Sequence, residues 1–369
     1  MGGTFICERA AVDDPVVADA WDALAKTAGT ANPFYGRKAL AACLDLPEAQ
    51  VPQLLLVRHS ESGALAGLLP VATRRKRGVA VCVENWDQRV RALGEPLVHA
   101  GAERNFWRAA LPVLARMPGQ YLRLSALDGD SPSTLALLTV LRDAGRSHYV
   151  TRDYGRAVLN RGLSSEAHAV AHVRPKVLKE HRRLRARLGE HGALSFERLA
   201  PRESVDPWID TLFELEATGW KGREGVAANA DPATERCFRT ILHAANRAGT
   251  LDFHRMRVGD RTIAMLANLE RGDEAFQLKI AFDEDWARYS PGVLIEMEYL
   301  RHALDVRDLR QVDSCARADH PMINRIWPDR RRIVSLAIPF ESLGSRLLCA
   351  AMARMRQRAD GSLTSTTAG

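Results

Sequence analysis

Two widely separated stretches of this sequence follow the same plan, and that repetition limits what the chain can fold into. Leu55-Leu56-Val57-Arg58-His59, then Leu65-Ala66-Gly67-Leu68-Leu69-Pro70, stands beside Phe253-His254-Arg255-Met256-Arg257-Val258, then Thr262-Ile263-Ala264-Met265-Leu266. In each, an outgoing strand meets a polar turn and a return strand that includes small residues. The second copy continues through Arg271-Gly272-Asp273-Glu274 into Phe276–Phe282, where Phe276, Leu278, Ile280 and Phe282 alternate with Gln277, Lys279 and Ala281, the period of a strand. Helices are expected around 103–116 and 132–144 in the first half, and around 205–218 and 232–248 ahead of the second meander. With 369 residues, enough for two domains, the chain reads as a duplicated α/β (α+β) protein. Each copy is a mostly antiparallel twisted sheet flanked by helices. The divisions are 1–155, a basic connecting helix at 156–192, a second domain at 193–340, and an amphipathic helix with a tail at 341–369.

After the strand at 276–282 comes a short polar turn and then Ser290-Pro291-Gly292-Val293. Val293, Leu294, Met297, Leu300, Ala303 and Leu304 recur at helical spacing, Ser290 suits an N-cap and Pro291 suits the first helical position. A helix start presents backbone N–H groups and the positive end of the dipole, and Gly292 lets a group approach closely. These residues suit a phosphate, although taken alone the motif reads first as a plain capped strand-to-helix turn.

The net charge of +7 points to anionic partners: nucleic acid, acidic lipid or a phosphorylated cofactor. Much of it lies in His172–Leu188, where Arg174, Lys176, Lys179, Arg182, Arg183, Arg185 and Arg187 surround an apolar face of Val177, His181, Leu184 and Leu188. The run has no aromatic residue, which argues against a stacking platform for single-stranded nucleic acid. Near the C-terminus, Phe340, Leu343, Leu347, Ala351 and Met355 form a stripe beside arginines, suited to a membrane surface or to packing on the body, with disorder expected after Asp360. No apolar run is long enough to span a bilayer, and the first residues do not read as a signal peptide. The expected location is cytoplasmic, with peripheral attachment to the inner face of the membrane as an option. Six cysteines show no C-x-x-C pair and there is no His cluster at ligand spacing, so reduced thiols and no metal are expected.

Three segments carry a family resemblance: Leu215-Glu216-Ala217-Thr218-Gly219-Trp220-Lys221-Gly222; Lys279–Asp283 with Tyr289–Val293; and Val312-Asp313-Ser314 with His320–Trp327. Together they resemble the GNAT superfamily of acyl-CoA-dependent N-acyltransferases, and within it the tandem CelD-like branch related to FemAB-type aminoacyl transferases. The resemblance implies two tandem GNAT-like domains. It implies an acyl-CoA or acyl-carrier-protein thioester bound in the second by Lys279, Arg288, Tyr289, Ser290, Pro291, Gly292 and Val293. The family's phosphate loop has two glycines where this chain has one. It further implies attack of an amine on the thioester, a strand N–H polarising the carbonyl, and a general base. Candidates for the base are Asp313, His320 and Glu216, and Trp220 and Lys221 are candidates for the acceptor groove. Each also has a bland role: a turn cap, a helix-entry hydrogen bonder, a surface charge, a core aromatic. No tyrosine lies between Ala316 and Trp327 to protonate the leaving thiolate. The implied acceptor is a small-molecule amine, either a polysaccharide precursor or a sphingoid amine in ceramide-type lipid synthesis at an anionic membrane. The competing readings are FemAB-like transfer from charged tRNA, and a non-catalytic membrane or nucleic-acid adaptor.

Overall fold

In the computed structural model, which describes residues 4–46, 50–76, 80–219, 223–225 and 227–365, the alternating segments are strands and the chain divides into two units. One comprises residues 1–44, 48–155 and 332 onward, the other 156–331 with 45–47.

The first unit runs β1 (Phe5–Ala11), α1 (Pro15–Thr27), α2 (Arg37–Ala42), β2 (Gln53–His59), β3 (Leu65–Lys76), β4 (Ala80–Asn85), β5 (Leu97–Val98), α3 (Glu103–Ala115), β6 (Tyr121–Asp128), α4 (Pro132–Asp143) and the first half of β7 (Tyr149–Asn160). Local chemistry sets these ends: at α1, Asp14 accepts the Val16 N–H, Pro15 takes the first position, and Val17, Trp21 and Leu24 face inward. Strands β1 to β4 pair antiparallel in sequence order, and α3 carries the chain over to β6, which is parallel to β4. The small residues of the return strand are explained by α3. A Cβ on Gly67 would lie 2.4 Å from Cδ2 of Phe106, so the helix packs where only a glycine leaves room.

The second unit repeats this plan. It holds α5 (Ser165–His172), α6 (Pro175–Gly189), β8 (Leu194–Arg198), α7 (Asp206–Thr218), α8 (Pro232–Ala248), β9 (Leu251–Val258), β10 (Arg261–Arg271), β11 (Glu274–Phe282), α9 (Pro291–Arg301) and β12 (Gln311–Asp313). Strands β8 to β11 pair antiparallel in sequence order, and α9 crosses to β12, parallel to β11. The duplication expected from two meanders is thus a duplication of topology, including the one parallel pair in each copy. Leu184 and Leu188 of α6 sit in one core with Leu294, Ile295, Tyr299 and Leu300 of α9. The basic helix is consequently part of the second unit, not a separate connector.

The last segment differs from expectation. The sequence assigns residues through 340 to the second domain, but Arg332–Pro339 of β13 (Asp329–Pro339) lies in the first unit and its residues pair antiparallel with β6. The C-terminal helix α10 (Leu343–Ser365) continues past Asp360, and residues 366–369 fall outside those described. Its buried side is Ser345, Cys349 and Ala353, against Cys82, Tyr121 and Ala337. Small side chains allow that close approach, so Leu343, Leu347 and Met355 of the expected stripe are left exposed instead. Strands β1, β7, β8 and β13 have no counterpart in the expectations from sequence. In β1 the reason is visible, since the strand is half-exposed or exposed along its whole length; β8 is too short to stand out, although its Leu194 and Phe196 pack on the core. No described helix is long and apolar enough to cross a membrane.

Replacing Gly67 by Ala is expected to lower unfolding stability by about 1–3 kcal/mol through overpacking against Phe106, measured by denaturant melts; a neutral variant would show that the contact relaxes freely.

Candidate functional site

The parallel pairing of β11 with β12 is short. Glu274, Ala275 and Phe276 lie opposite Gln311, Val312 and Asp313, after which β11 continues to Phe282 on the arm of β10 alone. The register with β10 shifts at Ala267/Asn268, opposite Gln277 and Lys279. Past Asp313 the chain turns away, with Cys315 at a φ of 51°. Among the described residues, no strand pairs with β11 from Gln277 to Phe282 on the β12 side. The two strands open like a V, and α9 begins nine residues after β11 ends.

Asp313 stands at the apex. It is 1% exposed, its Oδ2 accepts from Arg156 Nη2 (2.6 Å) and Arg331 Nη1 (2.9 Å), and its Oδ1 accepts the Cys315 N–H (2.8 Å). Arg331 also donates to Glu274 Oε2 at 2.9 Å. Burial works to raise the Asp313 pKa, but the guanidiniums of Arg156 and Arg331 outweigh it and hold the carboxyl below its usual range. That geometry suits a fixed anion that closes the apex, and it leaves little basicity for taking a substrate proton.

At the other mouth of the V, α9 starts at Pro291 as the sequence implies, but Ser290 does not cap it with its side chain. Ser290 ends the preceding 3-10 turn Glu284–Tyr289, which forces it into the left-handed region at φ 53° and ψ 52°, and its carbonyl accepts from Val293 and Leu294. Pro291 and Gly292 are buried, and a Cβ on Gly292 would press on the Phe282 ring at 3.2 Å. The remaining cofactor candidates separate. Arg288 is exposed, with its guanidinium 4.8 Å over the Tyr289 ring; Tyr289 itself is buried, its hydroxyl 2.6 Å from His191 Nε2; and Val293 packs on the core.

Lys279 lies elsewhere. Its Nζ is 2.7 Å from both carboxylate oxygens of Glu216 on α7 and 4.2 Å over the Phe238 ring, and Glu216 Oε2 also accepts the Ala228 N–H at 2.7 Å. The structure therefore brings together two residues that the sequence assigned to different roles. A small cavity bordered by Leu215, Glu216, Gly219, Ile280 and Phe282 adjoins the pair. Trp220 and Lys221 lie outside the described residues. His320 is half-buried, and its Nδ1 accepts the Ile323 N–H at 3.3 Å, the helix-entry bond of its bland reading.

Sequence reasoning passed over Glu296. It is 1% exposed on α9, accepts from Gln277 Nε2 at 2.9 Å beside the apex, and burial pushes its pKa up to about 7, opposed by the Gln277 bond. The available signal was a carboxylate and an amide standing among apolar neighbours, Glu296 between Ile295 and Met297, and Gln277 between Phe276 and Leu278.

Residues 175–320 match the acetyltransferase (GNAT) domain family, so the second unit carries a GNAT domain. No curated protein matches the sequence. Among solved structures, FemX aligns over 93% of this chain and 100% of its own, with 10% identity and a TM-score of 0.60. The L-PGS structure from Bacillus licheniformis aligns over 92% and 96%, at 11% identity and 0.52. The C-terminal domain of a putative lysylphosphatidylglycerol synthetase from Agrobacterium fabrum aligns over 92% and 95%, at 13% identity and 0.53. At these identities the likeness is one of fold. The expected fold, two tandem GNAT-like domains, stands.

Asp313→Asn is expected to destabilise the protein by about 3–5 kcal/mol, since it removes the carboxylate charge that Arg156 and Arg331 share in the interior. Because the folded pKa is depressed, the wild-type contribution is complete above the ordinary carboxylate range and is lost as pH falls through the depressed value. Melts of both proteins from neutral pH downward test this; a variant as stable as wild type at pH 7 would contradict it.

Proposed function

We propose that the second unit is an N-acyltransferase that moves an acyl group from a thioester to an amine. The observation that carries this reading is the V between β11 and β12. An unpaired strand edge accepts an extended amide-bearing arm by strand addition, which is the form of an acyl-CoA or acyl-carrier-protein thioester, and edge N–H groups can polarise its carbonyl. The α9 entrance and exposed Arg288 are supports for the phosphate end, with Phe282 as its wall.

The amine then enters from the Lys279–Glu216 side. Its nitrogen attacks the thioester carbon, the C–S bond breaks, and the sulfur leaves as a thiolate that takes its proton from solvent. Glu216 takes the ammonium proton, with Lys279 holding the carboxylate in place. His320 stands as the second proton-transfer group and Asp313 as the residue that positions β12 and keeps the V open.

For the acceptor we favour a lipid-borne amine, sphingoid in type. The support is the exposed face of α10, where Leu343, Leu347 and Met355 alternate with Arg346 and Arg354, a pattern suited to an anionic bilayer surface and to peripheral attachment. A second reading, transfer of an aminoacyl group from tRNA, is favoured by the exposed cations Lys176, Lys179, Arg182 and Arg187 of α6.

The test is release of free thiol from acyl-CoA, with a long-chain amine in anionic vesicles compared with a soluble amino sugar. Glu216→Gln is expected to lower kcat/KM by about 10²–10⁴-fold, the usual range for loss of a general base, while thioester binding is retained. No thiol release with any amine, together with tight salt-dependent tRNA binding, would overturn the thioester reading.

A further inference from the structure

Under the C-terminal half of α9, the face of β9 carries a side-chain cluster for which acyl transfer has no use. We propose that Asp252, His254 and His302 form a binding site for a first-row divalent cation, with zinc as the ion the donor set fits best. One ligand atom from each residue lies within 4.8 Å of the others. Asp252 is fully buried, and its Oδ2 is 2.9 Å from His254 Nε2, while its Oδ1 is 3.7 Å from His302 Nε2. Bonds of about 2.0–2.2 Å to a tetrahedral ion place neighbouring donors roughly 3.5 Å apart, so small side-chain shifts bring the three onto one centre. Binding requires the His254 ring to carry its proton on Nδ1, which frees Nε2 from its bond to Asp252.

Three further observations point to a ligand. His302 Nε2, Tyr299 Oη and Glu270 Oε1 are buried with no hydrogen-bond partner, and a native interior rarely leaves such groups unmatched unless an ion or water serves them. Arg198 Nε donates to Asp252 Oδ1 at 2.6 Å, the kind of outer bond that orients a ligating carboxylate and leaves its other oxygen for the metal. His302 opens a π-helical turn, His302–Val306, at the end of α9, a local distortion frequent at functional positions. Two histidines and one carboxylate, with a further position open to water or a neighbouring oxygen, is a recurrent zinc set. The ion would tie the end of the helix that begins at the V to strand β9.

The full chain, made without a histidine tag and stripped by a chelator, is titrated with Co²⁺ and then Zn²⁺. The expected result is one equivalent of Co²⁺ with visible ligand-field bands, its displacement by Zn²⁺, and a higher melting temperature with either ion. His254→Gln and His302→Gln are each expected to weaken binding by about 100-fold or more. Less than one equivalent bound by the wild-type protein would overturn the proposal, and so would variants that fold, by circular dichroism, and bind as tightly as wild type. The wild-type titration decides the matter even if a variant does not fold, and it is independent of acyl transfer.

Discussion

The second unit depends on one buried constraint, the Arg156–Asp313–Arg331–Glu274 network. It locks the last residue of β12 to the first residue of β11 and to Arg156 of β7, two residues before Val158, which pairs with Asp313 on the other side. A parallel pair of three residues is weak by its backbone bonds alone. Held at that end by charge-assisted bonds, it can open at the other without coming apart, and the proposed acyl transfer rests on that opening. A carboxylate that holds two guanidiniums in the interior is fixed in place, and its position next to the expected acyl site is a matter of architecture.

The duplicated topology clarifies why function is assigned to one copy. Both units cross from the fourth strand to a parallel strand by a helix, α3 in the first and α9 in the second. The entry of α3 has Glu103 in its first turn and Ala102 at its N-cap, so that end of the helix already has a negative charge and repels a phosphate. The entry of α9 has no acidic residue in its first turn and has Gly292 at close approach. In the first unit the corresponding pair is Glu84 of β4 with Arg123 of β6, so the strand that follows the helix carries an arginine where the second unit has Asp313, and Glu84 is held by Arg74 and Arg123. The scaffold is doubled, and of the two helix entries that of α9 is the one without an acidic residue in its first turn.

The sequence revealed local order and could not reveal long-range pairing. The meanders, the helix at Pro291 and the flanking helices follow from periodicities of two and 3.6, and these are carried by neighbours in the chain. Asp313 was legible as a strand-end acid, but its partners lie 157 and 18 residues away, and without them a base and a buried counter-ion look alike. The same blindness separated Glu216 from Lys279, which are 63 residues apart. Asp252 and His254 were visible as polar positions in a strand, yet His302 sits beyond a helix, so no ligand spacing marked the cluster. Ser290 stands at the N-cap as its position implies, but its side chain makes no capping bond, because the preceding 3-10 turn fixes the backbone first.

The central claim, that the edge of β11 receives a thioester, is tested most directly by amide hydrogen exchange with and without a non-reactive acyl-CoA analogue. Binding in the V predicts slowed exchange confined to residues 277–282 of β11 and to the amides at the start of α9, with the first unit unchanged. Unchanged exchange along β11 at saturating analogue, or protection only on α6, would contradict the account.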